Sequence, residues 1–119
     1  MIKLICGKSR AGKTTYSQRF DDVIHLDKCG GLTTCYGNAL LKVGAREGDV
    51  VIEGIYDTRE RRMALLNAYR GEGPRVCVWI APPEDVLKKR MFSPKAGIYP
   101  KNFEPPEPDE GWDEIIVIR

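Results

Sequence analysis

The chain has one histidine, four cysteines and no long apolar run, and each scarcity removes a class of protein. A membrane-spanning helix needs about 20 consecutive apolar residues, and no stretch approaches that length. The cysteines, at positions 6, 29, 35 and 77, show no C-x-x-C spacing, and no second histidine exists to complete a zinc site. Cys6 and Cys77 fall inside apolar segments that read as strands, so both are expected to be small buried groups. Met1 to Cys6 is a short apolar strand followed at once by polar loop, which is not the pattern of a signal peptide. A cytosolic, reduced protein without a membrane partner is expected. The net charge of +2 is too small to imply nucleic-acid binding by itself, so any charged site must be local. Repeats and linkers are missing too, and 119 residues suit one α/β domain spanning 1–119 without room for a second.

Against these absences stands one dense motif, Gly7-Lys8-Ser9-Arg10-Ala11-Gly12-Lys13-Thr14. It satisfies the phosphate-loop pattern of two glycines with four residues between them, then Lys and Ser/Thr. At ordinary composition a chance match in a chain this short is of order one in a few hundred. Its surroundings also fit, because Ile2-Lys3-Leu4-Ile5-Cys6 reads as a buried strand and Thr15 to Phe20 as a helix. Gly7 and Gly12 permit positive backbone torsions and carry no Cβ to block a phosphate. Successive N–H groups from about Ser9 to Thr14 can then turn inward as an anion-binding nest. Lys13 is expected at the β- and γ-phosphates and the Thr14 hydroxyl on magnesium. The expected nucleotide contacts are therefore Gly7, Lys8, Ser9, Arg10, Ala11, Gly12, Lys13, Thr14 and Thr15, with ATP and Mg2+ as cofactors.

Beyond the loop the pattern alternates. Val23 to Leu26 is a short strand ending at Asp27. A helix capped by Thr33 or Thr34 runs to about Ala45, and Val50-Val51-Ile52 is a strand ending at Glu53-Gly54. Asp57 or Thr58 caps a charged helix from Arg59 to about Arg70, and Gly71 to Pro74 breaks it. Arg75 to Ile80 is a fourth strand, Glu84 to about Met91 a helix after Pro82-Pro83, and Glu114 to Ile118 a last strand. Ser93 to Gly111 carries five prolines and no period, so it is expected to be an ordered or mobile loop. Continuous apolar strands alternating with helices predict a parallel sheet covered on both faces. Catalytic groups in such folds sit beyond the carboxyl ends of the strands.

That rule selects two carboxylates. Asp27 is placed to orient an acceptor hydroxyl and take its proton. Glu53 would hold magnesium through water or position the acceptor, and either acid can be the general base. Among the cations after the fourth strand, Arg90 is the preferred partner of the transferring phosphoryl group, with Lys95 next. Arg59, Arg61 and Arg62 crowd the start of a helix, where cations are unfavourable. They point either to an anionic partner or to pairing with Glu60, Asp57 or Glu53. His25 lies within a strand and is expected to be packed. Tyr99, Phe103 and Trp112 either stack on a base or pack the loop against the core.

In order along the chain stand the phosphate loop, Leu26-Asp27, Val51-Ile52-Glu53-Gly54, Thr58-Arg59-Glu60-Arg61-Arg62, Pro83 to Arg90 and Glu110-Gly111-Trp112-Asp113. Together they resemble the P-loop kinases grouped around the polynucleotide 5′-hydroxyl kinases, with zeta-toxin-like kinases as cousins. The resemblance covers nearly the whole chain. It implies a three-layer P-loop NTPase fold, a five-stranded parallel core in the order 2-3-1-4-5, and ATP-dependent transfer to a hydroxyl acceptor. By position, Asp27 resembles the general base and Arg90 or Lys95 the lid cation. The nucleic acid 5′ end leads as acceptor. A nucleoside, nucleotide or small-metabolite acceptor, or a nucleotide-binding module without turnover, remain the alternatives.

Overall fold

The structure is a computed structural model that describes residues 1–8, 11–26, 33–83 and 103–119, without the side chains of 33–35. Its strands are β1 (Ile2–Cys6), β2 (Val23–His25), β3 (Val50–Gly54), β4 (Arg75–Ile80) and β5 (Glu114–Ile118). Helices α1 (Lys13–Ser17), α2 (Thr33–Ala45) and α3 (Arg59–Ala68) lie between them, and Pro108–Glu110 forms a 3-10 turn. Every neighbouring pair is parallel, and the strands lie in the order β2-β3-β1-β4-β5. The expected helix from Glu84, and with it Arg90 and Lys95, lies outside the described residues, as does Asp27.

Alternation along each strand sorts the apolar residues into two cores. Ile2, Leu4 and Cys6 share one face with Val50, Ile52 and Cys77, packed under Ala39 and Val43 of α2 and Leu65 and Leu66 of α3. Ile5, Val51, Val76, Val78 and Ile80 share the other, against Ala11, Tyr16 and Phe20 from the α1 side. A fully buried Val, Leu or Ile is worth about 1.5–3 kcal/mol, so a one-residue slip of any central strand would be prohibitive. Cys6 and Cys77 are fully buried, as expected, with their Sγ atoms 3.6 Å apart. The contact with Cys6, then burial, pushes the Cys77 thiol up, so it stays protonated.

Helix boundaries differ modestly from expectation. The first helix starts at Lys13 rather than Thr15 and gives way to turns after Ser17, with Phe20 N–H donating to the Ser17 carbonyl. For α3 the cap is Thr58, whose side chain accepts from Arg61 N–H at 3.2 Å. Between β3 and that cap, Tyr56 adopts φ 42 and is fully buried, a left-handed turn that costs a residue of this size on the order of 1–3 kcal/mol.

Arg62 of α3 helps hold that turn. Fully buried, it donates from Nη1 to the Tyr56 carbonyl at 2.8 Å and from Nε and Nη2 to the two Glu110 oxygens at 2.8 and 3.0 Å. Trp112 Nε1 and Glu107 N–H also donate to Glu110, each at 3.0 Å. The three arginines are thus paired internally, because Arg61 binds Asp57 at 3.0 Å and Arg59 binds Asp109 at 2.8 Å. Two of these partners lie near the chain's end rather than among the neighbouring acids expected, and the alternative of an anionic partner loses its motive. Of the expected loop, residues 93–102 lie outside the described residues. Residues 103–111 contain the 3-10 turn, clamped through Glu110, and Phe103 stacks on Trp79 with ring centroids 5.9 Å apart. Phe103 and Trp112 pack against the core, and Tyr99 lies outside the described residues.

Burial pushes the Glu110 carboxyl up, but the hydrogen bonds from Arg62 and Trp112 and the guanidinium charge outweigh it and hold the group below its ordinary range. A depressed carboxylate contributes stability that is fully present above the unfolded value, about 4.3, and is lost as pH falls through the lower folded value. Urea midpoints should therefore decline below about pH 4. An Arg62→Met/Glu110→Gln protein should show a shallower decline, and an identical slope would deny the pair this role.

Candidate functional site

The glycine loop leaves β1 at the carboxyl edge of the sheet, beside the chain that leaves β3, and Gly7 N–H donates to the Ile55 carbonyl at 3.4 Å. A Cβ on Gly7 would lie 2.6 Å from the Ile80 carbonyl oxygen, so the loop's approach to β4 requires glycine. Gly12 caps α1 at φ 108, the left-handed conformation that turns the loop into the helix. Ala11 is buried under the turn, where its N–H donates to the Lys8 carbonyl at 3.1 Å. Lys13 is 4% exposed and its Nζ donates to the same carbonyl at 2.9 Å, so the side chain lies along the loop. Thr14 and Thr15 are exposed on α1, and Lys8 is half-buried. Ser9 and Arg10 lie outside the described residues.

Glu53 joins this loop to the sheet. It is 1% exposed near the end of β3, and its Oε1 accepts from Thr14 Oγ1 at 2.9 Å, across 39 residues of sequence. Oε2 accepts from Ser17 Oγ at 2.9 Å and meets His25 Nδ1 at 2.6 Å. Parallel register makes the last contact inevitable, because His25 is the β2 partner of Glu53. With Ile24 and Leu26 turned into one core, His25 must project from the opposite face, toward α1. The expectation of a packed histidine is therefore corrected: the ring is 34% exposed and bonded to the buried acid. The alternation of Val23-Ile24-His25-Leu26 carried the signal, but the pairing with Glu53 depends on β2 lying beside β3. Ser17 was also not anticipated.

The two buried acids are unlike. Glu110 is neutralised by Arg62, whereas among the described residues Glu53 has no Lys or Arg within ion-pair distance and is met by two hydroxyls and an imidazole. Removing a carboxylate from water costs several kcal/mol unless hydrogen bonds or a charge offset it, and at Glu53 the described offset comes from Thr14, Ser17 and His25. Thr14 hydroxyl and Glu53 carboxylate are hard oxygen donors side by side. They fit magnesium, which takes one or two protein ligands and fills its octahedron with water and phosphate oxygens. A pocket of about 460 Å³ opens beside them, lined in part by Thr14, Ser17, Asp21, His25 and Glu53. Among the described residues no helix is long and apolar enough to cross a membrane.

Compared with known proteins, the chain matches no family model and no curated protein sequence.

Proposed function

We propose that the chain is an ATP- and magnesium-dependent phosphotransferase of P-loop NTPase fold that delivers the γ-phosphate to a hydroxyl, with the 5′-hydroxyl of a nucleic acid as the leading acceptor. The observation that carries this reading is the Thr14–Glu53 contact at 2.9 Å, which joins the phosphate-loop hydroxyl to a buried carboxylate whose other oxygen meets Ser17 and His25. Gly7 and Gly12 give the loop its close approach. Lys13, whose Nζ donates to the Lys8 carbonyl, would place its charge on the β- and γ-phosphate oxygens, where negative charge spreads during transfer. Thr14 and Glu53 would hold magnesium, which would supply positive charge to the phosphate oxygens. Three donors already occupy Glu53, and it is buried, so it is poorly placed to take a proton from an incoming acceptor. That role falls to Asp27, two residues beyond His25, with Arg90 as the preferred lid cation.

Labelled ATP and magnesium, incubated with oligonucleotides, nucleosides and sugars, test the activity and rank the acceptors. Label on an oligonucleotide 5′ end is expected, and Asp27→Asn should slow transfer by at least ~100-fold while ATP binding stays near that of the parent. Label on none of the panel would reject the phosphotransferase reading. Label confined to nucleosides or sugars would reject the nucleic acid acceptor alone.

A further inference from the structure

We infer that His25 is a positioning residue for the metal-binding carboxylate: its Nδ1–H fixes Glu53 so that Oε1 faces Thr14 and the magnesium site. This inference rests on the phosphotransferase reading. An ionised carboxylate only accepts, with roughly four lone-pair positions, so the ring nitrogen facing it must carry the proton. Oε1 is engaged by Thr14 and has a further position available to a metal ion or its water. The anchoring therefore falls on Oε2, which has two neighbours. One of them is divided, because Ser17 Oγ lies 2.9 Å from both Glu53 Oε2 and the Thr14 carbonyl and has a single proton to give. His25, at 2.6 Å, is the undivided donor.

Geometry makes the restraint stiff. His25 and Glu53 are register partners on adjacent strands, so the backbone sets both side chains before any ligand arrives. Without the imidazole, Oε2 keeps only a shared hydroxyl and the carboxylate can rotate about its last torsion, taking Oε1 from Thr14. Partners that orient metal-binding carboxylates typically alter metal affinity by about 10–100-fold when removed. Burial alone does not explain the residue, since the ring is one-third exposed on an edge strand where a packed apolar side chain would serve stability better.

The test is calorimetric titration of ATP, with magnesium and with chelator, on the parent, Thr14→Ala, His25→Ala and His25→Asn. The asparagine amide can place a donor near the Nδ1 position. His25→Ala is expected to lose about 10-fold or more of the magnesium-dependent gain in ATP affinity, with affinity in chelator unchanged, and His25→Asn to recover most of it. Because the chain has a single histidine, its Nδ1–H resonance reads the contact directly. It should be shifted downfield in the parent and return toward the free imidazole position in Glu53→Gln. An unaltered magnesium gain in His25→Ala, or Asn no better than Ala, would overturn the inference while leaving the reading intact. If His25→Ala fails to fold, an unshifted parent resonance overturns it and a shifted one, with magnesium gain kept in His25→Asn, supports it. A parent that binds no ATP, or a Thr14→Ala protein that keeps the full magnesium gain, overturns the underlying reading and the inference with it.

Discussion

Lys13→Met is expected to lose at least ~100-fold in phosphate transfer while the melting midpoint moves by no more than about 5 °C. Methionine is the informative replacement because Lys13 is buried to all but 4% along the loop. Alanine would open a gap under Gly7–Gly12 and confuse a lost charge with a disturbed loop. Methionine keeps an unbranched apolar stem and removes the ammonium alone. The Lys13 hydrogen bond to the Lys8 carbonyl is worth on the order of 1 kcal/mol to the fold, whereas a preorganised cation on the transferring phosphoryl is worth several times that. Steady-state transfer rates beside thermal melts separate the two. Rates close to those of the parent would dismiss Gly7–Thr14 as a phosphate site.

The largest effect on stability is expected at Arg62. Arg62→Met should cost about 3–5 kcal/mol, because Glu110 would be left ionised, buried and held only by neutral donors. Against a typical total of about 5–15 kcal/mol, that brings the protein close to unfolding at ambient temperature. Converting Glu110 to glutamine as well should restore more than half of the loss, since no uncompensated charge then remains. Urea denaturation of the parent, the single and the double variant supplies the three free energies. A single-variant cost below about 1 kcal/mol would mark the pair as incidental.

Arg62 also shows where reading a sequence stops. Its crowding with Arg59 and Arg61 at a helix start was visible, and so were acids close by at 53, 57 and 60. The true partner stands 48 residues further on, in a segment whose prolines suggested only a loop. Side-chain pairing across such a span leaves no periodic trace. Strands fared better, because the central β1, β3 and β4 are buried on both faces and read as mainly apolar runs, interrupted inside the strand only by Lys3 in β1 and by Glu53 near the end of β3. The glycines at 7 and 12 were legible for a related reason, since backbone geometry demands them, as the 2.6 Å approach of a Gly7 Cβ to the Ile80 carbonyl makes plain. Glu53 announced itself by following Val50-Val51-Ile52. His25 and Ser17 did not, because their role exists only once β2, β3 and α1 are assembled around the same carboxylate.

The place of β1 in the sheet bears on how the chain is made. β1 is central, hydrogen-bonded to β3 on one side and β4 on the other, yet it precedes both in synthesis order. At about 5–20 residues per second, Ile2–Cys6 waits roughly 4–15 s before Ile80 is added and both of its edges can be covered. β3 is complete at Gly54, so one edge of β1 can be covered before β4 is made, but neither neighbour can be reached by a local hairpin. An apolar strand made before both of its sheet neighbours is thus open to wrong pairing until they emerge.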